Sequence, residues 1–197
     1  MRKVVVNEFL SLDGVAQAPG GEDEDRSGGF AHGGWSMEYM DEPAMTTVLG
    51  SINDAGAFLL GRRTYEIFAS YWPNAPEEEQ VIAEPMNRKP KHVASNTLAN
   101  PLEWENSTVL EGDVPEAVAA LKQEEGGDIH VIGSLDFLKT LLEHDLVDEF
   151  RLMIDPVLLG GGKRLFADDA ELRRLRLVDS HVTTTGAILA TYVRGDG

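Results

Sequence analysis

Phe58-Leu59-Leu60-Gly61-Arg62-Arg63-Thr64 is the stretch whose reading decides the fold. Residues 57–60 form a short apolar run, suited to a strand buried on both faces. The run opens directly into glycine, two arginines and a hydroxyl. A helical pattern follows, with Tyr65, Phe68, Ala69 and Trp72 on one face. At such a helix start the free amides and the helix dipole favour an anion. Arginine adds a planar fork that suits phosphate. The same residues also read as a solvated arginine pair that caps a carbonyl or pairs with local acid.

Towards the N-terminus, Pro43 opens a helix at a position that needs no amide proton, and Met45, Val48, Leu49 and Ile52 repeat at helical spacing. Residues 3–10 read as a first strand, with Val4, Val5 and Val6 buried on both faces, followed by the turn Ser11-Leu12-Asp13-Gly14. Residues 15–40 are irregular and rich in glycine. A segment of that length inside a compact domain is a functional lid or disordered. Its acidic run Glu22, Asp23, Glu24 and Asp25 reads as a flexible acidic lid rather than as a metal site with His32, and no metal is expected.

Towards the C-terminus, residues 77–87 read as helical, 91–94 as a strand ending at Ser95-Asn96, and a further strand lies near 108–110. Asp113, with Glu116 three residues on, starts a helix that ends at Gly126-Gly127. Residues 129–132 form a strand that turns through Gly133-Ser134 into a helix over 135–144. Residues 148–154 alternate as a strand, with Phe150, Leu152 and Ile154 on one face. Pro156 and the glycines Gly160, Gly161 and Gly162 break it. Residues 175–183 and 187–194 make a last hairpin. Strand–helix alternation implies parallel crossovers covered by helices, and the terminal hairpin implies antiparallel strands. The expected architecture is α/β: a mixed, mostly parallel central sheet with helices on both faces and a C-terminal antiparallel hairpin. It forms one domain over 1–197 with a long loop at about 14–40.

Three clusters fall at carboxyl ends of expected strands, where open α/β sheets bind ligands. Gly61, Arg62, Arg63 and Thr64 form the first, and an arginine near this point in nucleotide-binding folds accepts the 2′-phosphate that separates NADP from NAD. Ser95-Asn96-Thr97 is the second; it also reads as an ordinary polar turn. Val131-Ile132-Gly133-Ser134 is the third, where glycine lets a phosphate approach the backbone and Ser134 can cap the helix; a plain turn with a serine cap is the alternative. One parallel sheet would bring all three to one edge. A fourth stretch, 155–163, could form a backbone nest for an anion or serve as a tight turn between strands. No dinucleotide fingerprint of the GxGxxG kind and no nucleophile elbow is present.

The chain has 197 residues, no cysteine and a net charge of −17. This length can bury a full core without staples. Absent cysteine excludes disulfides and thiolate metal sites and fits a reducing cytoplasm. The negative charge repels a phosphate backbone, so no nucleic-acid partner is expected. The first apolar run stops at Asn7 and Glu8, far short of a secretory core. No stretch approaches the roughly 20 apolar residues of a membrane helix, so no membrane partner is expected.

Taken together, from Lys3 to Arg194, the chain resembles the dihydrofolate reductase superfamily. It is most similar to the branch holding the reductase domain of bacterial riboflavin biosynthesis, the RibD C-terminal type, and its stand-alone relatives. Leu60-Gly61-Arg62-Arg63-Thr64, Val131-Ile132-Gly133-Ser134 and Pro156-Val157-Leu158-Leu159-Gly160-Gly161-Gly162 carry the resemblance, with residues 7–14 matching the family's first strand and its exit. The resemblance implies an NADPH site. Arg62 and Thr64 match positions that hold the 2′-phosphate and pyrophosphate, and Ser95 and Asn96 match the loop beside that phosphate. Gly133 and Ser134 match a glycine pair beside the nicotinamide and pyrophosphate, joined in dihydrofolate reductase by a cis peptide. With Gly61, Arg63, Ile132 and Asn7 these complete the expected cofactor set.

The chain departs from dihydrofolate reductase at the first helix, where a buried carboxylate is replaced by Met45-Thr46-Thr47-Val48-Leu49. The expected activity is reduction of a small heteroaromatic or carbonyl substrate. Asp13 or Glu38 would supply a proton through water. Trp35 would act as an aromatic wall or as a packing anchor, and Gly160, Gly161 and Gly162 would touch the substrate. The alternatives are the reductase of riboflavin synthesis acting on 5-amino-6-(5-phosphoribosylamino)uracil, and a non-catalytic NADPH-binding module. Family members often pair through edge strands, which implies a homodimer.

Overall fold

The structure is a computed structural model and describes residues 1–166 and 171–195. Eight strands form one mixed sheet in the order β4-β3-β2-β5-β1-β6-β8-β7. The elements are β1 Val4–Ser11, α1 Glu42–Asp54, β2 Ala57–Gly61, α2 Arg62–Tyr71, α3 Gln80–Arg88, β3 Lys91–Ala94, β4 Ser107–Val109, α4 Val114–Gln123, β5 Ile129–Ile132, α5 Leu135–Glu143, β6 Glu149–Asp155, β7 Leu175–Val182 and β8 Ile188–Arg194. Two helical expectations differ in detail. The stretch at 77–87 starts as a 3-10 turn, Glu77–Glu79, before α3. Helix α4 stops at Gln123, short of Gly126-Gly127, where the Arg2 side chain donates to the Gly127 carbonyl at 2.6 Å.

Contacts divide the described chain into two compact units, 1–5 with 48–147 and 6–47 with 148–197. In the first unit, β2 pairs parallel with β3 and with β5, and β3 pairs parallel with β4. All five residues of β2 are buried, as a central parallel strand requires. Phe58, Leu60, Val93, Ile52, Tyr65, Met86 and Trp104 form its core on one side. Lys91 is buried in this core and donates to the carbonyls of Met86, Asn87 and Lys89 while its ammonium sits 4.3 Å from the Trp104 ring centre. It therefore satisfies carbonyls that the end of α3 leaves without helical partners.

In the second unit, β8 lies antiparallel between β6 and β7. The 14–40 segment is ordered around a small core of its own, Val15, Ala18, Phe30 and Trp35. Gln17 is its hub: its side-chain amide donates to the carbonyls of Asp25 and Ser27 and accepts from the Lys163 amide. The acidic run, expected to be flexible, is pinned. Glu24 accepts from the amides of Gly20 and Gly21, and Asp25 binds the Lys163 ammonium at 2.6 Å. Asp41 joins α1 to the β7–β8 turn, accepting from the Ala44 amide and from the amide and hydroxyl of Thr184.

Candidate functional site

In the first unit the strand ends fall in step. Gly61 lies opposite Ala94 in the β2–β3 register, and Leu59 lies opposite Val131 in the β2–β5 register. The turns at 61–64, 95–96 and 133–134 therefore leave one edge together. Two of them are locked to each other. Ser134 Oγ accepts from the Gly61 amide at 2.7 Å and donates to Thr64 Oγ1 at 2.8 Å. Gly133 and Ser134 are both left-handed, with φ of 62° and 70°. A Cβ on Gly61 would stand 3.0 Å from the Ser134 side chain, and one on Gly133 would stand 3.2 Å from Thr64 Oγ1. Glycine is what allows the starts of α2 and α5 to approach this closely. The Gly133–Ser134 peptide is not among the cis bonds of the described residues.

Neither α2 nor α5 has a side-chain N-cap bond, and the first turn of α2 carries no acid. Their first amides are thus left for water or for an anion. Arg62 Nη1 donates to both carboxylate oxygens of Glu66, at 3.0 and 2.8 Å, at a half-exposed site where such a pair contributes little. Arg63 is exposed and forms no ion pair among the described residues. Ser95 Oγ accepts from the amides of Thr97 and Leu98, which closes its own turn, and Asn96 is exposed. Ile132 packs at the margin of the core.

The second unit holds the other expected residues. Asp13 accepts from the Ser11 hydroxyl at 2.7 Å and from the amides of Leu159 and Gly160. These donors, the Ser11 hydroxyl foremost, lower its pKa to about 2, so it is a fixed anion that shapes the glycine turn. Gly161 and Gly162 line a cavity of about 440 Å³ together with Gln17, Phe30, Leu159 and Lys163. Gly162 has a φ of 118°, and a Cβ there would meet Val15 Cγ1 at 2.8 Å and Phe30 at 2.9 Å. Burial alone would raise the Asp25 pKa, but bonds from Lys163 and Ser27 outweigh it and hold the value at about 2. Trp35 is buried in the segment's own core and donates Nε1–H to the Gln17 carbonyl at 2.8 Å, the geometry of a packing anchor. Asn7 is half-buried on β1, and Glu38 is exposed.

Sequence reasoning placed Asp155 at the head of the 155–163 turn without a role for its side chain; it ends β6. Its side chain is wholly enclosed. Oδ2 accepts from the Ser36 hydroxyl at 2.6 Å, and Oδ1 has no partner among the described residues. Burial pushes its pKa up to about 6, and the nearby Glu38 carboxylate adds to the rise. The signal was present as an acid two positions after Met153 on an apolar strand face, at the carboxyl end of a strand.

The chain matches the family described as the RibD C-terminal domain over residues 2–189. YyaP of Bacillus subtilis (strain 168), described as uncharacterized, is 29% identical over 194 residues, covering 97% of this chain and 94% of that protein. A structure from Shewanella sp. PV-4, provisionally assigned to riboflavin biosynthesis, has a TM-score of 0.67 at 21% identity over 98% of this chain and 99% of that one. Dihydrofolate reductase from Enterococcus faecalis, solved with NADP(H), has a TM-score of 0.60 at 15% identity over 98% of this chain and 97% of that one. At these identities the structural likenesses show a shared fold.

Proposed function

The chain belongs to the RibD C-terminal domain family, and on that premise we propose that it is an NADPH-dependent reductase of a small heteroaromatic or carbonyl substrate. The observation that carries this reading is the lock between Gly61, Ser134 and Thr64, which holds two uncapped helix starts side by side. Such a cradle suits a pyrophosphate. Arg63, free of acid, is the readiest partner for a 2′-phosphate, and Arg62 can join it by leaving Glu66. Gly133 would let a cofactor approach the backbone, with Ser95, Asn96 and Ile132 completing the set in the first unit.

Bound NADPH supplies a hydride, so the protein has only to position it and exclude water. Within the second unit, Asp13 is spent on the loop amides. Glu38, exposed and sharing a hydrogen bond with the Tyr39 hydroxyl, is the carboxylate left to exchange a proton with solvent. Gly160, Gly161 and Gly162 would border the substrate, Gly161 and Gly162 from their cavity wall.

The test is stopped-flow absorbance of NADPH mixed with the chain and candidate acceptors, including 5-amino-6-(5-phosphoribosylamino)uracil. Oxidation by an acceptor is expected. Tight binding without oxidation by any acceptor would leave a binding module and remove the enzyme. A homodimer is part of the same reading. It is supported by β7, which ends the sheet and is exposed at every position, with Leu175, Leu177, Val178 and Val182 open to solvent. Light scattering should give twice the chain mass; a monomer mass would reject the pairing. Among the described residues no helix is long and apolar enough to cross a membrane.

A further inference from the structure

Asp155 and Ser36 are both wholly enclosed, and their side chains meet at 2.6 Å across 119 residues of chain. Ser36 sits inside residues 35–39, the stretch that also carries Trp35, Glu38 and Tyr39. We propose that Asp155, in its protonated form, is a positioning residue that fixes residues 35–39 against β6 for the reaction. The proposal rests on the reading of the 14–40 segment as the substrate side of a reductase.

The surroundings favour the neutral acid. On its own strand, Met153 shares the Asp155 face, and Met153 packs with Ala44 of α1 and Ala187 at the start of β8, which offer no charge. The titratable groups near it come from the 3-10 turn Met37–Tyr39: Glu38 and Tyr39 both interact electrostatically with it. An ionised Asp155 would thus hold one oxygen without a donor and a second carboxylate beside it, with the Ser36 hydroxyl as its one hydrogen-bond donor among the described residues. Losing its proton would leave a buried negative charge beside Glu38. The Ser36 hydroxyl bond favours that ion, but the cost of burying the charge is larger and Glu38 adds to it, so an opening that lets water reach Asp155 becomes easier and residues 35–39 slacken when it ionises. The elevated pKa of about 6 places that change in the range where enzymes work.

Amide hydrogen exchange of residues 35–39, corrected for intrinsic rates, tests this between about pH 5 and about pH 8. Wild-type protection should fall roughly tenfold with a midpoint near 6. Asp155→Asn should stay protected throughout, Ser36→Ala should be loose throughout, and Glu38→Gln should move the midpoint down. A flat wild-type profile, or an Asp155→Asn profile that titrates like wild type, would overturn the proposal. Should Asp155→Asn not fold, carbon-13 NMR of the wild-type Asp155 carboxyl decides instead. A midpoint near 6 supports the tether, and one near the ordinary 3.8 rejects it. NADPH titration of the same samples reports on the reductase reading separately. Wild type that fails to bind NADPH but shows the exchange profile loses the reductase and keeps the tether.

Discussion

The carboxyl ends of β2 and β6 carry opposite chemistry. At the end of β2, in the first unit, donors predominate: the first amides of α2 and α5 and two arginines, one of them paired with Glu66, with no acid in the first turn of α2. At the end of β6, in the second unit, Asp155 is an enclosed acid with the Ser36 hydroxyl as its one side-chain donor among the described residues and the Glu38 carboxylate nearby. The first end suits a bound anion without the fold changing. The second cannot hold a full negative charge at low cost, so it stores a proton instead. Asp13 shows that burial and donors decide this, since the same residue type, given three donors, has a pKa of about 2.

The largest effect that sharpens this contrast is structural. Gly162→Ala drives a Cβ into Val15 and Phe30 at a φ of 118°, and should cost about 3 kcal/mol in urea unfolding. An unchanged midpoint would mean that the 14–40 segment is not packed on the glycine turn. Arg63→Ala should weaken NADPH by about 2 kcal/mol while leaving NADH nearly unchanged, and Arg62→Ala should do less because Glu66 already holds its Nη1. Equal losses of both nucleotides would remove the 2′-phosphate role given to Arg63.

Stability against pH probes the end of β6. Folded Asp155 keeps its proton up to about 6, whereas an unfolded aspartate loses it near 3.8. The stability tied to its neutral form is present below 3.8 and is lost as pH rises through about 6, a loss of about 2 kcal/mol that the uncharged Asp155→Asn should abolish. Asp13 runs the other way: its contribution is present above 3.8 and is lost as pH falls through about 2. Urea midpoints measured at several pH values separate the two. The smallest effect belongs to Ser134→Ala, which leaves the Gly61 amide without its partner and should cost about 1 kcal/mol.

Much of the fold was legible because its signals are local. The run at 57–60 reads as a buried strand by composition alone, and Asp113 with Glu116 reads as a helix start, which the Asp113 side chain indeed caps at the Glu116 amide. What stayed hidden depends on distant partners. The 14–40 segment reads as irregular because its order comes from Gln17, which bonds Lys163 over 146 residues, and from the Asp25–Lys163 pair. Trp35 reads equally as a wall or an anchor until the Gln17 carbonyl is placed against it. Asp155 reads as the first residue of a turn, and only strand β6 ending at that residue reveals it as an enclosed acid. Among the candidate site residues, the glycines and Ser134 are visible as turn chemistry, whereas the capture of Arg62 by Glu66 and the openness of Arg63 need coordinates.

The most direct measurement is a fluorescence titration of the chain with NADPH and with NADH. NADPH should bind at least about tenfold more tightly, with the preference collapsing in Arg63→Ala. Equal affinity for the two nucleotides, or tighter NADH, would contradict the 2′-phosphate role given to Arg63 beside the paired helix starts at Gly61 and Ser134.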